Sequence, residues 1–300
     1  MKKKIITKIS EGLGNQMFMY ANSYALSKKF DLEFYIDPYS GYFKKNVYQY
    51  MLNNFNISSK IAPSKWIFSN HYRNLIKKIK VNFDFFKKNK SFLFEIKKFD
   101  KSTSFIPFNL NNINSEFYVD GNFETEKYFI EYKDELNNEF SLTSSNFNDN
   151  QYLKLIQNNN VVSICVRQNR YSERINNKNL KESKSKSDVF VKETIDYIYR
   201  SIEYIKSRVD NPLFLLWSND FRNLNEYFPN KDFIYVDNKE NKILNDFYLL
   251  TQCKNFVVAP STFNWWGAWL SQEKNKICIR PNNLNPSNNI DFWPENWLSI

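Results

Sequence analysis

The chain has 300 residues, of which 42% are hydrophobic and 25% charged, the balance of a folded protein with a sizeable core and about two domains. Its 42 Lys and Arg against 32 Asp and Glu give a net charge of +10, which favours anionic partners. Five glycines exclude collagen-like and linker-like chains, whereas one histidine and three cysteines exclude a His-rich metal site and a disulfide scaffold.

The N-terminal region predicts alternating β and α structure. Gly12 and Gly14 are typical of a tight turn, and the third glycine of a dinucleotide-binding motif is absent. The expected elements are a strand at 5–9, the turn EGLGNQ at 11–16, a helix from Met17 to Phe30 and a second strand at 33–36.

Residues 76–101 interleave lysines with phenylalanines. The pattern favours a solvated helix face with a core stripe. The alternatives are a patch that contacts an anionic membrane surface and, ranked last, a nucleic-acid-binding surface. The chain has no apolar run of 18 residues, and the apolar run after Met1 is too short for a signal-peptide core. We therefore expect a cytoplasmic protein, peripheral at the inner membrane if the patch contacts lipid.

From residue 160 onward, short β-rich runs alternate with helical patterns, which is typical of a parallel sheet with crossover helices. A polar loop is expected over 168–187, with Lys184–Ser187 flexible and Ser187 capping the next helix. The expected strands are 161–166, 213–217, 233–236, 256–259 and 277–280, and the expected helices are 188–208, 242–253 and 262–270, with a further short helix after Asp220.

Polar residues follow several of these strands, at the sheet edge where α/β proteins bind ligands. Helix N-termini, hydroxyls and arginines bind oxyanions, so this rim predicts a phosphate-bearing ligand. Taken alone, each piece has a structural explanation: the serines can cap helices, and Trp265, Trp266 and Trp269 can be core. The rim consists of Gly12, Gly14, Asn15 and Gln16, then Arg167, Gln168, Asn169 and Arg170, then Ser218, Asn219 and Asp220, and last Ser261, Thr262, Phe263 and Asn264.

Four stretches together resemble the bacterial α-1,2-fucosyltransferases of glycosyltransferase family 11. They are EGLGNQMFMYANSYAL, DGNFETEKYF, FLLWSND and APSTFNWWGAWLS, and the match extends from residue 5 to the closing FWPENW. The resemblance implies an α/β, GT-B-like fold of two Rossmann-like lobes with parallel sheets. We expect an acceptor-side lobe at 1–150, which contains GLGNQ, and a nucleotide-sugar-binding lobe at 151–300.

The resemblance implies transfer of L-fucose from GDP-L-fucose to O2 of a galactosyl residue in a surface glycan. It implies inversion at the anomeric carbon, no obligatory metal, and no nucleic-acid partner. The family's arginine motif falls on 165–170, which reads CVRQNR here. Arg167 is kept, whereas Cys165, Gln168 and Arg170 depart from the pattern. A different GDP-6-deoxyhexose donor and a non-catalytic glycan-binding protein are therefore the alternative hypotheses.

Roles for the rim residues follow from the resemblance. Arg167 is expected to grip the β-phosphate, and Arg170 to replace the missing second arginine. The base that takes the acceptor proton is left open among Asp220, Glu173, Glu11 and the leaving phosphate, and His71 is interpreted as structural. The remaining residues expected to hold the donor are Gly14, Asn15, Ser218, Asn219, Asp220, Ser261, Thr262 and Phe263.

Overall fold

In the computed structural model, the chain forms two compact units. The structure describes residues 2–43, 48–143, 150–168, 180–239 and 242–300. The predicted boundary at residue 150 assigns residues 287–294 to the second lobe, whereas they pack with the first unit. Unit 1 comprises Met1–Ser144 and Ser287–Pro294, and unit 2 comprises Ser145–Pro286 and Glu295–Ile300.

Unit 1 contains five strands and three α-helices in its described residues: β1 (Lys4–Lys8), α1 (Leu13–Lys29), β2 (Glu33–Asp37), β3 (Lys60–Ile61), α2 (His71–Asp84), β4 (Lys90–Phe94), β5 (Ile113–Asp120) and α3 (Lys133–Glu139). The sheet is parallel, in the order β3-β2-β1-β5-β4. Alternate strand residues face opposite layers. Ile5 and Phe117 pack with Leu26 of α1, whereas Ile6 and Tyr118 lie in the core beneath α2.

Helix α1 begins at Leu13, so the predicted start at Met17 was wrong. Gly12 is the N-cap, and its carbonyl accepts the N–H groups of Asn15 and Gln16 at 3.0 Å. Gly14 therefore lies inside the first helical turn and not in a turn ahead of it. Nearly every residue of α1 is buried, and this burial offsets the penalty of about 1 kcal/mol for a helical glycine.

The described residues of unit 2 form six parallel strands, in the order β11-β10-β9-β6-β7-β8. Helix α5 packs on one face of the sheet. Right-handed crossovers place α6 and α7 on the other face, and α6 contacts both α4 and α7. The predicted alternation of strands and helices is confirmed. The predicted α/β fold of two Rossmann-like parallel sheets is confirmed as well. The elements are α4 (Gln151–Asn158), β6 (Asn160–Val166), α5 (Leu180–Lys206), β7 (Pro212–Ser218), β8 (Phe233–Tyr235), α6 (Lys242–Gln252), β9 (Asn255–Val257), α7 (Thr262–Leu270), β10 (Cys278–Arg280) and β11 (Leu298–Ser299).

Helix α5 begins at Leu180, so the predicted loop over 168–187 and the predicted cap at Ser187 were wrong from residue 180 onward. Ser187 lies within the helix, and its hydroxyl donates to the carbonyl of Ser183 at 2.9 Å. Lys186 pairs with Glu182 one turn away at 2.6 Å. Both serines are buried. A buried stripe of small polar residues escapes a search for apolar periodicity, which explains the error.

An ion cluster lies at the carboxyl edge of the unit 1 sheet. Asp120 of β5 pairs with Lys8 of β1 at 2.9 Å and with Lys77 of α2 at 2.6 Å. Burial opposes the charged carboxylate, but the two ammonium groups outweigh it and lower the pKa of Asp120. Burial lowers the pKa of Lys77 as well. Asp120 is therefore the counter-charge for two partly buried lysines.

Replacing Asp120 with Asn is expected to lower the free energy of unfolding by about 1–3 kcal/mol, because both lysines lose that counter-charge. A carboxylate whose pKa is lowered by folding stabilises the fold above its ordinary pKa, and this stabilisation is lost as pH falls through the folded value. In urea unfolding, the difference from wild type should stay constant from about pH 5 to about pH 8 and narrow below about pH 4.

Asp31→Asn provides the matched control, because it removes an exposed ion pair with Lys2 in the same unit. Its unfolding midpoint should equal that of wild type, since exposed pairs contribute little. Equal midpoints for the two variants would contradict the role assigned to Asp120.

Candidate active site

The strand order of unit 2 reverses beside β6. From β6 the chain moves outward to β7 and β8, and it then returns to β9 on the other side of β6. The connections leave the carboxyl ends of β6 and β9 in opposite directions, which opens a crevice where ligands bind in such sheets. Arg167 directly follows β6 and residues 260–262 follow β9, so both segments lie at the edge of this crevice.

Gln168 and Asn219 join the segments that follow β6 and β7. The Gln168 N–H donates to Oδ1 of Asn219 at 2.8 Å, and Nδ2 of Asn219 donates to the Gln168 carbonyl at 3.0 Å. The Gln168 side chain also donates to the carbonyls of Asp220 at 2.6 Å and Arg222 at 3.1 Å. These four bonds hold the backbone beside Arg167. Gln168, one of the departures from the family motif, therefore links two loops.

The carboxylate of Asp220 is paired with Arg222. Nε of Arg222 lies 3.0 Å from both carboxylate oxygens, and Nη2 lies 2.5 Å from Oδ2. Hydrogen bonding to this carboxylate raises the pKa of the Arg222 guanidinium. The backbone of Asp220 exchanges two further bonds with the Ser218 hydroxyl. A carboxylate held in this way is poorly placed to accept a proton from a sugar hydroxyl, so the geometry favours a structural role.

Helix α7 begins at the same sheet edge, separated from the end of β9 by four residues. Ser261 is its N-cap, and its hydroxyl oxygen accepts the N–H of Asn264 at 3.2 Å. The first-turn N–H groups and the helix dipole favour an anion at this end. Below the first turn, Trp265, Trp266 and Trp269 are buried against one another, as the prediction of a core role requires.

The first turn of α7 is held in place by its contact with α6. Thr262 is the first residue of the helix. The ring of Phe263 packs edge-on against Phe247 of α6, with 5.5 Å between the ring centres. A Cβ on Gly267 would lie 2.8 Å from the Cβ of Leu250, so only glycine permits this close helix approach. Packing between α6 and α7 therefore positions the anion-favouring end of α7.

The sheet of unit 1 also reverses, between β1 and β5. Nδ2 of Asn15, after β1, donates to Oε1 of Glu124, after β5, at 3.0 Å. Glu124 is buried, and its Oε2 accepts the hydroxyl of Ser287. Glu124 lies within the DGNFETEKYF motif but was not among the predicted site residues. Its position just beyond a strand end was the signal that could have identified it.

The other predicted residues have varied outcomes. Glu11 has a positive φ of 66°, and its carbonyl accepts from Gln16 at 2.9 Å and Tyr42 at 3.1 Å. Arg170 and Glu173 lie outside the described residues.

No three His, Cys, Asp or Glu side chains come together as a potential metal site in the described parts of the chain. Within those same ranges, no helix has the length and apolarity needed to cross a bilayer.

Two parallel-sheet units with polar residues at their strand ends have the architecture of the GT-B fold class. Residues 1–300 match the family model described as Glycosyl transferase family 11, and the chain belongs to that family. It is 26% identical over 310 residues to an alpha-1,2-colitosyltransferase of Escherichia coli, covering 99% of this chain and 98% of the relative.

A second relative supports the family assignment, and one solved structure supports the fold. The O-antigen biosynthesis glycosyltransferase WbnK of Escherichia coli is 26% identical over 314 residues, covering 97% of this chain and 99% of the relative. A mutant of Arabidopsis thaliana FUT1 in complex with GDP is similar in fold, with a TM-score of 0.51 and 13% identity over 94% of this chain and 71% of that one. The predicted family and fold are thus confirmed.

Replacing Asn219 with Ala removes two of the four bonds that hold the backbone beside Arg167. The Gln168 amide proton loses its acceptor, so its hydrogen exchange should accelerate by at least about 10-fold. Exchange measured by mass spectrometry on the peptide that contains Gln168 provides the readout. Asn160→Ala, at the opposite end of β6, removes a bond to the Asp210 carbonyl and is the control. Unchanged exchange at Gln168 in the Asn219 variant would refute the proposed link.

Proposed function

We propose that this enzyme transfers L-fucose from GDP-L-fucose to O2 of a galactosyl residue in a bacterial surface glycan of the O-antigen type, with an α-1,2 linkage. The observation that carries the proposal is the crevice beside β6, where Arg167 and the capped N-terminus of α7 lie at adjacent strand ends. A guanidinium and helix N–H groups suit a diphosphate. The full-length similarity to an α-1,2-colitosyltransferase and an O-antigen glycosyltransferase supports this choice.

In the proposed reaction, the galactosyl O2 attacks the anomeric carbon on the face opposite GDP. The bond from that carbon to the β-phosphate oxygen breaks, and GDP leaves with the electron pair, which inverts the configuration. Negative charge grows on the diphosphate in the transition state. Arg167 and the N–H groups of α7 stabilise this charge, with Ser261 and Thr262 at the helix start. These groups supply the stabilisation, so we propose no obligatory metal.

Glu124 enters the proposal as a candidate for contact with the acceptor hydroxyl. Its carboxylate is buried just beyond the end of β5, and Asn15 and Ser287 each donate a hydrogen bond to it. These bonds orient the carboxylate, and each carboxylate oxygen has more than one lone pair. The proposed role of Glu124 is to accept a hydrogen bond, or a proton, from a sugar hydroxyl. We assign unit 1 to the acceptor on this basis.

Colitose, a 3,6-dideoxyhexose, is the second candidate for the transferred sugar. It is favoured by the colitosyltransferase relative and by the altered motif at 165–170. One of those changes is explained by the fold. Cys165 is buried within β6, and burial raises the pKa of its thiol to about 12, so it neither attacks nor accepts protons at neutral pH. Gln168, as a loop link, and Arg170 remain the changes that bear on the donor.

A cytoplasmic location completes the proposal. The three cysteines are buried and form no disulfide, which suits a reducing compartment that also contains nucleotide sugars. The proposed partners are a GDP-sugar and a galactose-containing glycan, without nucleic acid.

Replacing Arg167 with Ala is expected to lower kcat/KM for transfer by about 100- to 1,000-fold, since one oxyanion contact is removed. Arg167→Lys keeps the positive charge but loses the bidentate geometry, so its kcat/KM should lie between that of wild type and that of Arg167→Ala. Calorimetry with GDP and GDP-fucose, without and then with added metal, measures donor binding directly. Arg200→Ala, an exposed arginine near the end of α5 at the opposite sheet edge, should behave as wild type.

The outcomes separate the candidate functions. Binding of GDP and GDP-fucose without metal, lost in Arg167→Ala, supports the proposed donor site. Binding of GDP without GDP-fucose points to another sugar such as colitose. Binding of none of these nucleotides contradicts the transferase proposal and favours the non-catalytic glycan-binding alternative.

Replacing Glu124 with Gln is expected to reduce kcat by at least about 100-fold, because general base catalysis contributes on this scale. GDP affinity should fall much less than kcat, since Arg167 and the N-terminus of α7, the main proposed contacts of the diphosphate, lie in unit 2. Steady-state kinetics and calorimetry on the same preparation give both quantities. Glu131→Gln, an exposed glutamate in the same unit, is the control. A parallel loss of GDP binding and turnover would count against this role.

A further inference from the structure

Helix α2 presents an apolar stripe to solvent. Tyr72, Leu75, Ile79 and Phe83 follow the helical spacing and fall within about 80° of arc on one face. Their exposures range from 47% to 73%. Phe85 and Phe86, just beyond the helix, are 78% and 83% exposed. Single exposed apolar residues are common, but a continuous aromatic and aliphatic stripe on one helix marks an interaction surface.

Polar contacts on the opposite face hold α2 in this orientation. Lys77 is paired with Asp120 at 2.6 Å, and the carboxylate of Asp84 accepts the N–H groups of Ser91 and Phe92 at 2.8–3.0 Å. Arg73 donates to the carbonyl of Ser64 at 2.8 Å. Rotating the stripe inward would break all of these contacts, so its exposure is a built feature of unit 1.

The exposed charge around the stripe is positive. Lys78 and Lys80 flank it on either side, and Lys87 and Lys88 follow Phe86; all four are exposed. The acidic side chains of residues 71–99 are Asp84 and Glu95. Both are turned toward backbone N–H groups, Asp84 as described above and Glu95 toward Asn122 and Phe123 at 3.0 Å. The surface therefore combines an apolar centre with a cationic border.

We infer that α2 lies in the headgroup region of an anionic bilayer, with its stripe inserted among the acyl chains and the lysines on lipid phosphates. This combination is that of an interfacial amphipathic helix, in which apolar burial and electrostatic attraction add. The charge pattern selects lipid over a second copy of this chain, because two copies of the stripe would bring two sets of lysines together. The inference is independent of the donor and acceptor proposed above.

Vesicle co-sedimentation of the full chain tests the inference. Wild type should bind vesicles that contain phosphatidylglycerol and not vesicles of phosphatidylcholine alone, and binding should weaken as ionic strength rises. Replacing Lys78, Lys80, Lys87 and Lys88 with Gln should reduce partition by at least about 100-fold. The same change at Lys181, Lys184, Lys192 and Lys231, exposed in unit 2, alters net charge equally and should have a much smaller effect.

A fluorescent label locates the contact. The native cysteines are buried, so Leu75→Cys can be labelled selectively with a polarity-sensitive dye. Its emission should shift to the blue with anionic vesicles. Val189→Cys on α5 is matched in exposure, 56% against 55%, and should show no shift. Equal shifts at both sites, or no binding by wild type, would overturn the inference, as would a dimer that Phe83→Ser converts to monomer in solution.

Discussion

The reversal of strand order beside the first strand of each sheet is the constraint on which the candidate site depends. Right-handed crossovers send α5 to one face of the unit 2 sheet and α6 and α7 to the other, so the segments after β6 and β9 diverge. The sheet edge between them is where ligands bind in open α/β sheets. Arg167 and the start of α7 are placed there by topology, and in unit 1 the same reversal places Asn15 beside Glu124.

Hydrogen bonds between neighbouring segments hold the backbone in place at this sheet edge. Gln168 and Asn219 bond to each other and to neighbouring carbonyls, and Ser261 caps α7. Groups that are already fixed lose less freedom when a diphosphate binds, so more of the interaction is available to the transition state. Gln168 stands where the family has a second arginine. At this position the chain therefore has hydrogen bonds between two loops in place of a positive charge. In the proposed mechanism, the positive charge for the leaving group is then left to Arg167 and to Arg170, which is expected to replace the second arginine.

Local sequence signals predicted much of the fold. Strands such as 161–166 are buried on both faces and therefore read as continuous apolar runs, and the bounds predicted for α7, Thr262–Leu270, match because its cap is local. The predicted start of helix α5 was too late, because Ser183 and Ser187 form the buried stripe of its first turns and carry no apolar signal. Glu124 had no assigned role because its partner, Asn15, lies 109 residues away, and pairing at that range leaves no local pattern.

Periodicity alone could reveal the stripe on α2 but not the side of the helix that faces solvent. That choice is made by distant partners, above all Asp120, which pairs with Lys77. Asp120 ends β5, and the segment that begins at Gly121 leads directly to Glu124. The ion cluster therefore ties the orientation of α2 to the sheet edge proposed for the acceptor. A helix held on a bilayer through its stripe would fix the height of that edge above the lipid surface, which suits a glycan acceptor presented at the membrane.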